Sequence, residues 1–355
     1  MRLAMRLTAV NPSLAQAEFE DAAKGEFIAS MDDIAQVAEK DGWDPYTGVM
    51  TRTWNNQAMS TTFNNLVVGL GGVEFPVPDE LKSNLKDPYT YLGQNVSLHF
   101  PTTTNDPCAG YFFDGIPQYI DPRAPQLYSI PGYDDGVVYP SYIGAASEVK
   151  DEITLIAGDY TDVLTGQKVS APEVKLPMKY SWTTVVAGNW NDKAGLVGDY
   201  TSYNYNFPSL ADKFRHSTNK RVWFGPWESY FLLAEAAVYG WNVPGSAKDN
   251  YEKGIAASFE YNGVSDKLLE YLQSKAYNRV GTSVAFDHTV EAKAYMINYY
   301  DAYTKQNKTT TYEYPKNTIY KNGQYNNDAL TKIITQKFIA QNPCCLLYTS
   351  DAADE

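Results

Sequence analysis

The stretch that most constrains this chain runs from Arg221 to Gly263, RVWFGPWESYFLLAEAAVYGWNVPGSAKDNYEKGIAASFEYNG. Its apolar residues recur at helical spacing in two blocks. Phe231, Ala234, Glu235 and Val238 share one face of a first helix, predicted over Glu228 to Tyr239. Gly240, Pro244 and Gly245 break the pattern. Ser246 is a good N-cap, because its hydroxyl accepts from an otherwise free N–H two or three residues on. Tyr251, Ile255 and Phe259 mark the buried face of a second helix, which Gly263 closes. Ala234, Ala236, Ala237, Gly254, Ala256 and Ala257 keep side chains small where two helices approach. Paired helices of this kind bury their faces on neighbouring pairs.

Both ends of the chain carry more helix. Over Met1 to Gly25, the end of one helix leads through a turn into a second. There Asn11 caps and Pro12 takes the first helical position. ALTKIITQKFIA predicts a helix from Ala329 to Ala340. Val264 to Leu272 and Val290 to Ala302 are expected as two more, with Asp287 or Thr289 capping the latter. Between Phe27 and Pro226 helical periodicity is rare, and Gly, Pro, Asn, Asp and Thr recur every few residues. One helix is expected within Trp54 to Leu70, ending in a Gly-rich turn, GLGG. Ile153 to Ala157, Val169 to Leu176 and Tyr180 to Ala187 are candidate strands. A segment this long without regular structure belongs to a compact domain only where it serves a function.

Composition narrows the function. The formal net charge is −13, which argues against nucleic acid and against a basic face on anionic lipid. Aromatic residues make up 14% of the 355, with 29 Tyr, while charged residues are only 20%. That balance suits polar, uncharged ligands. No apolar run is long enough to span a bilayer. MRLAMRLTAV is not a signal peptide, since Arg6 interrupts what would be its apolar core. Cys108 stands alone and Cys344 and Cys345 are adjacent, so no disulfide framework is visible. The three His are far apart, and HExxH, Walker and GxSxG patterns are absent. NDPC and DDG offer oxygen donors, but not at EF-hand spacing. No metal or cofactor is therefore assigned.

The hairpin resembles a tetratricopeptide unit, with Ala247, Tyr251 and Gly254 at that repeat's positions. The wording is more specific. ESYFLLAEAAVYGW followed by AKDNYEKGIAASFEYNGV resembles the C-terminal helical repeat of the SusD/RagB family, surface lipoproteins of Bacteroidetes that capture glycans for a TonB-dependent outer-membrane transporter. MRLAMRLTAVNPSLAQAEFEDAA is similar to that family's penultimate repeat. ALTKIITQKFIA is similar to its I-I-T-Q-K-W-I-A helix, with Phe338 where tryptophan is usual. YIDPRAPQLYSIP resembles its D-P-R segment, Asp121 to Arg123, in which Arg123 is expected to tie loop backbone together. CLLYTSDAADE, at the C-terminus, resembles a translated transposon adapter of the kind found at metagenomic contig ends. The resemblance implies native sequence missing at both ends, with repeats and a lipid anchor upstream.

The fold class implied is mainly α: tetratricopeptide-like hairpins carrying a large, irregular, loop-rich insertion with short strands. Residues 1–344 are expected as one domain: a hairpin over 1–25, the insertion and ligand face over 26–226, and a C-terminal helical region over 227–344. Residues 345–355 are expected to be non-native. The function implied is non-catalytic binding of an oligosaccharide at the outer membrane surface and its delivery to a SusC-like transporter. Rigid Trp and Tyr rings suit the C–H faces of sugars, and neighbouring amides suit the hydroxyls. KYSWTTVVAGNWNDKAGLVGDYTSYNYNF is the densest source, giving Trp182, Trp190, Asn191, Tyr200 and Tyr203 as candidate ligand-binding residues. CAGYFFDGIPQYIDP adds Tyr111, with Tyr119 nearby. The alternative for each ring is a place in a core short of aliphatic residues. Glu228 and Glu235 are expected to bond a neighbouring helix or loop. Two other functions remain open from sequence: a carbohydrate-active hydrolase, whose paired carboxylates sequence cannot match up, and a repeat scaffold binding a peptide or protein partner in its helical groove.

Overall fold

The computed structural model describes residues 1–38, 59–99, 106–133, 151–161, 166–183, 207–214, 219–316 and 326–343. Within them the helices are α1 (Arg2–Arg6), α2 (Pro12–Ala22), α3 (Thr61–Val67), α4 (Ala124–Leu127), α5 (Pro226–Val238), α6 (Ala247–Asn262), α7 (Leu268–Gln273) and α8 (Ala329–Ala340). The expected caps are in place. The Asn11 side chain accepts from the Leu14 amide, and Ser246 Oγ accepts from Asp249 N at 3.0 Å. Gly263 ends α6 with φ 71°, a left-handed conformation that costs glycine little. Within the α5–α6 hairpin, a Cβ on Gly254 would lie 2.7 Å from the Phe231 ring. Glycine there lets the helices close on that ring.

Three helical elements form the frame. Ala4, Met5, Phe19 and Ala23 of α1 and α2 share a core with Leu232, Leu233 and Ala236 of α5. Arg2 holds Glu228 through both carboxylate oxygens, each at 2.5 Å. Across the hairpin, α8 buries Ile333 and Ile339 in the main core and joins Glu235 through Lys337 at 3.3 Å. Both hairpin carboxylates thus bond a neighbouring helix, as anticipated.

The rest is richer in sheet than the sequence suggested, so hairpins describe only part of the architecture. Six small sheets occur among the described residues. The largest contains β3 (Tyr91–Asn95), β4 (Tyr111–Phe112), β13 (Tyr295–Asp301) and β14 (Gln306–Tyr312), in the order β14-β13-β3-β4. Val290 to Ala302 was expected as a helix and instead supplies β13. The physical reason lies in YMINYYD. Its aromatic and β-branched residues suit a pleated surface, and Tyr295 to Tyr312 pairing through Asp301 to Gln306 makes a hairpin with the Thr-rich β14. Asp287 therefore caps no helix and instead pairs with Lys248. The single strand expected at Val169 to Leu176 is split at Pro172 and Glu173 into Lys168–Ala171 and Val174–Pro177, which pair with different partners. Helix α3 is shorter than anticipated and is capped by Ser60. Tyr180 to Thr183 holds no strand. GLGG is the expected turn, with positive φ at Gly69, Gly71 and Gly72. A Cβ on Gly71 would lie 2.2 Å from the Tyr271 ring, so the turn sits directly on α7.

One buried network joins loop to frame. Arg123 is fully buried and grips Asp121, with Nε–Oδ1 2.9 Å and Nη2–Oδ2 2.6 Å. The guanidinium also donates to Ser258 Oγ at 3.1 Å, Tyr271 OH at 3.2 Å and Gln336 Oε1 at 2.6 Å. Tyr271 in turn donates to Asp121 and accepts from Gln336 Nε2 at 2.8 Å. Arg123 thus ties its segment to α6, α7 and α8 through side chains, rather than to loop backbone. Burial opposes the guanidinium charge, but the adjoining Asp121 carboxylate outweighs it and the group stays charged. Burial and the same carboxylate push the Tyr271 phenol well above its ordinary range.

A second node fixes the start of α8. Lys332, fully buried, donates to Ser283 O, Ser283 Oγ and Asn327 Oδ1, each at 2.7 Å. Burial brings its ammonium down from 10.5 to about 7, against the pull of Glu291 and Asp328.

Two outcomes are expected. Arg123→Met leaves Asp121 buried and unpaired, so chemical denaturation should show a loss of about 3–5 kcal/mol. An equal stability of variant and parent would reject the network as a tie. For Lys332, the unfolded chain keeps a proton up to about 10.5 that the folded chain releases near 7. Unfolded molecules bind more protons in that window, so this group makes stability rise with pH across it. Melting curves of Lys332→Met between those pH values should rise less steeply than those of the parent.

Candidate functional site

The four-stranded sheet places polar and aromatic side chains in one row. Gln306 lies opposite Asp301, Asp301 opposite Asn95, and Asn95 opposite Tyr111. Directly opposed residues share a sheet face, and neighbouring strands are about 4.8 Å apart. The row therefore spans the sheet from amide to phenol. Tyr299, two residues before Asp301, joins the same face. Its ring meets that of Tyr111 edge-on, with centroids 5.5 Å apart and planes at 80°. Both phenols are half-buried.

Local packing holds this face still. On the same face of the sheet, Leu92, Cys108, Phe113, Ile297 and Tyr312 form a small core against which Tyr111 and Tyr299 pack. Arg279 lies 3.7 Å from the centre of the Phe113 ring. Burial keeps the Cys108 thiol protonated, pushed up to about 11, so it is a core residue and not a nucleophile. At the turn after β13, Asp301 Oδ1 accepts from the amides of Tyr303 at 3.0 Å and Thr304 at 3.2 Å, and Oδ2 from Lys308 Nζ at 2.5 Å. Burial raises the Asp301 carboxyl, but Lys308 and those amides bring it below the ordinary range. The same bond raises Lys308. The pair is thus a fixed ion pair at neutral pH, with Asp301 buried and satisfied and the part-exposed Lys308 ammonium able to donate to hydroxyl groups. Burial first, then the neighbours Tyr299, Cys108 and Asp301, raise the Tyr111 phenol, which remains a neutral donor.

The candidates from sequence fare unequally. Tyr111 lies in this row. Trp182 does not: it is 1% exposed in the main core, its ring meeting Phe75 edge-on at 5.1 Å. Its amide donates to Gly115 O at 2.7 Å, and its indole N–H has no partner among the described residues. Trp182 is a core plug, not a displayed platform. Trp190, Asn191, Tyr200 and Tyr203 lie outside the described residues. Tyr119 is half-buried against Tyr89, centroids 6.0 Å apart. Asn95, Tyr299 and Asp301 were missed. The period-two alternation in YMINYYD was the available signal, obscured by the helix expected there.

Among the described residues no group of three His, Cys, Asp or Glu converges as a metal site requires. Nor is any helix among them long and apolar enough to cross a membrane.

Residues 193–346 match the SusD-like family, the SusD and RagB outer membrane lipoproteins. The chain is similar in fold to a SusD homologue from Parabacteroides distasonis, with 23% identity and a TM-score of 0.57 over 96% of this chain and 48% of that one. A SusD homologue from Bacteroides ovatus aligns at 20% identity and TM-score 0.46, over 96% and 48% of the respective chains. A chitin-binding SusD homologue from Flavobacterium johnsoniae aligns at 18% identity and TM-score 0.47, over 97% and 46%. The chain spans about half the length of these structures. No curated protein matches it in sequence. The family match over the helical hairpin and the final helix agrees with the fold shared with the Parabacteroides distasonis homologue.

Proposed function

We propose that this protein binds oligosaccharide without cleaving it and delivers it to a SusC-like TonB-dependent transporter, from an outer membrane surface to which the full-length protein is lipid-anchored. The observation that carries the binding step is the row from Gln306 to Tyr111 with Tyr299 against it. Phenol rings supply rigid apolar area with a polar edge, and amides and the Lys308 ammonium suit hydroxyls. Trp190, Asn191, Tyr200 and Tyr203 belong to the same proposal as a further aromatic source on the ligand face.

The carboxylates support a binding rather than a hydrolytic role. A glycosidase needs one carboxyl free to donate a proton and a second free to act as base or nucleophile. The four buried carboxylates among the described residues, Asp121, Glu228, Glu235 and Asp301, are each held by a cation.

Calorimetric titration with a panel of neutral oligosaccharides tests this. Tyr111→Ala and Tyr299→Ala should each weaken the retained glycan by about three- to tenfold, the worth of one ring contact. Unchanged affinity in the double variant would remove this row as the site. Reducing ends released from a labelled oligosaccharide above the blank rate would overturn the non-catalytic reading. Trp182→Ala should instead act on folding, lowering stability by about 3–5 kcal/mol as expected for emptying a core position.

A further inference from the structure

The frame encloses a cavity of about 270 Å³ between α1, β12 (Arg221–Phe224), α5 and the C-terminal end of α8. Its size is just below the roughly 300–1,000 Å³ of sites for drug-sized ligands, which suits a terminal sugar unit. Trp223 stands in its wall with 47% of its surface exposed. An indole this open is unusual in a chain that buries Trp182 and Trp227 almost completely. Its backbone is fixed from two directions. Arg2 Nη2 donates to Trp223 O at 2.9 Å, and β12 pairs with Ala35–Val37. The Arg2 guanidinium also lies over the Phe224 ring at 4.5 Å. The backbone that carries the indole is therefore held in place before any ligand arrives.

Charge sets this cavity apart from the rest of the molecule. Its lining carries four cations, Arg2, Arg6, Lys220 and Lys337, against two carboxylates, Glu228 and Glu235. The chain as a whole has 29 Lys and Arg against 42 Asp and Glu. Arg2 is committed to Glu228 and Lys337 to Glu235. Arg6 and Lys220 are exposed and have no carboxylate partner among the described residues. Two cations without a carboxylate partner among the described residues thus line the same cavity as an exposed indole, a combination that suits a ligand with a ring face and a negative charge. The side-chain amides of Asn219 and Asn342 line the same cavity and suit hydroxyl groups.

We infer that this cavity binds a carboxylate-bearing sugar, a uronic acid unit of an acidic oligosaccharide, with Trp223 under the ring and Arg6 and Lys220 on the carboxylate. The inference rests on the carbohydrate-binding reading above and adds a charged class of sugar at a second place. A guanidinium matches a carboxylate in geometry as well as charge, and a lysine adds a compact ammonium.

The test uses short oligomers of galacturonic, glucuronic, mannuronic and guluronic acids, each beside its methyl ester, titrated against the whole chain by calorimetry. The ester keeps the ring and removes the charge, so this comparison needs no variant. At least one free acid should bind, and its ester should bind about tenfold or more weakly, the worth of one charged hydrogen bond. Binding of the acid should weaken as salt rises. Arg6→Gln with Lys220→Gln, and separately Trp223→Ala, should each reduce acid affinity by a similar factor. Neutral-glycan affinity, which reports on Tyr111 and Tyr299, should stay unchanged in both. Equal affinity for acid and ester, full acid affinity in Trp223→Ala, or no binding by any uronate would each overturn the inference while leaving the neutral-glycan reading to its own measurement.

Discussion

The Asp121–Arg123 pair is the constraint on which the architecture turns. Two charges taken fully out of water are costly unless every remaining donor and acceptor is met. Here the guanidinium reaches Asp121, Ser258, Tyr271 and Gln336 together. The last three of those partners come from three separate helices. If α6, α7 or α8 shifted, a charged hydrogen bond would be lost inside the core, where an unmet group is expensive. The pair therefore does less to add net stability than to specify one mutual placement of frame and loop. Gly71, seated on the Tyr271 ring, extends that placement into the GLGG turn.

Fixing the loop region in this way allows the four-stranded sheet with its phenol row to be made from short strands. The sheet that carries Tyr111 and Tyr299 draws β3 and β4 from before the α5–α6 hairpin and β13 and β14 from after it. Strands of two residues, such as β4, have little ladder energy of their own. The small core beside the row, with the Arg279 guanidinium against Phe113, supplies what the ladder lacks. The Tyr111 and Tyr299 phenols are consequently held by packing. A ring already fixed loses little further freedom when a sugar lies against it.

Local chemistry was legible in the sequence, and partnerships between distant residues were not. Asn11, Ser246 and Gly263 announced their helix ends because caps are read within a few residues. The small residues of α5 and α6 announced a close hairpin for the same reason. Val290 to Ala302 failed because its helical spacing was weighed without its partner β14, and strand preference depends on what lies across the ladder. Trp182 failed differently. Its surroundings are rich in Tyr and Asn, but Phe75, about a hundred residues earlier in the chain, decides that the indole is buried, and no local rule reaches that far. Arg123 was placed in the correct motif, yet its partners in three helices could not be read from loop composition. Trp223 lay inside the most informative stretch of the sequence and drew no notice there, because exposure is a property of the folded neighbourhood.

The distribution of charge follows from these placements. On the sheet face, Asp301 and Lys308 cancel one another and phenols and amides remain, so that face presents dipoles and rings. At the cavity between α1 and α8, two carboxylates are consumed by two cations, and two further cations have no carboxylate partner among the described residues. An acidic protein repels an anion at long range, but screening confines that repulsion to roughly 10 Å at ordinary ionic strength. Inside that distance the local excess of cations decides, and the exposed Trp223 indole supplies the apolar contact that charge alone does not. The frame thus separates the proposed neutral surface from the proposed cationic one. It does so by spending its own ion pairs on holding helices together, which leaves only the unspent charges for a ligand.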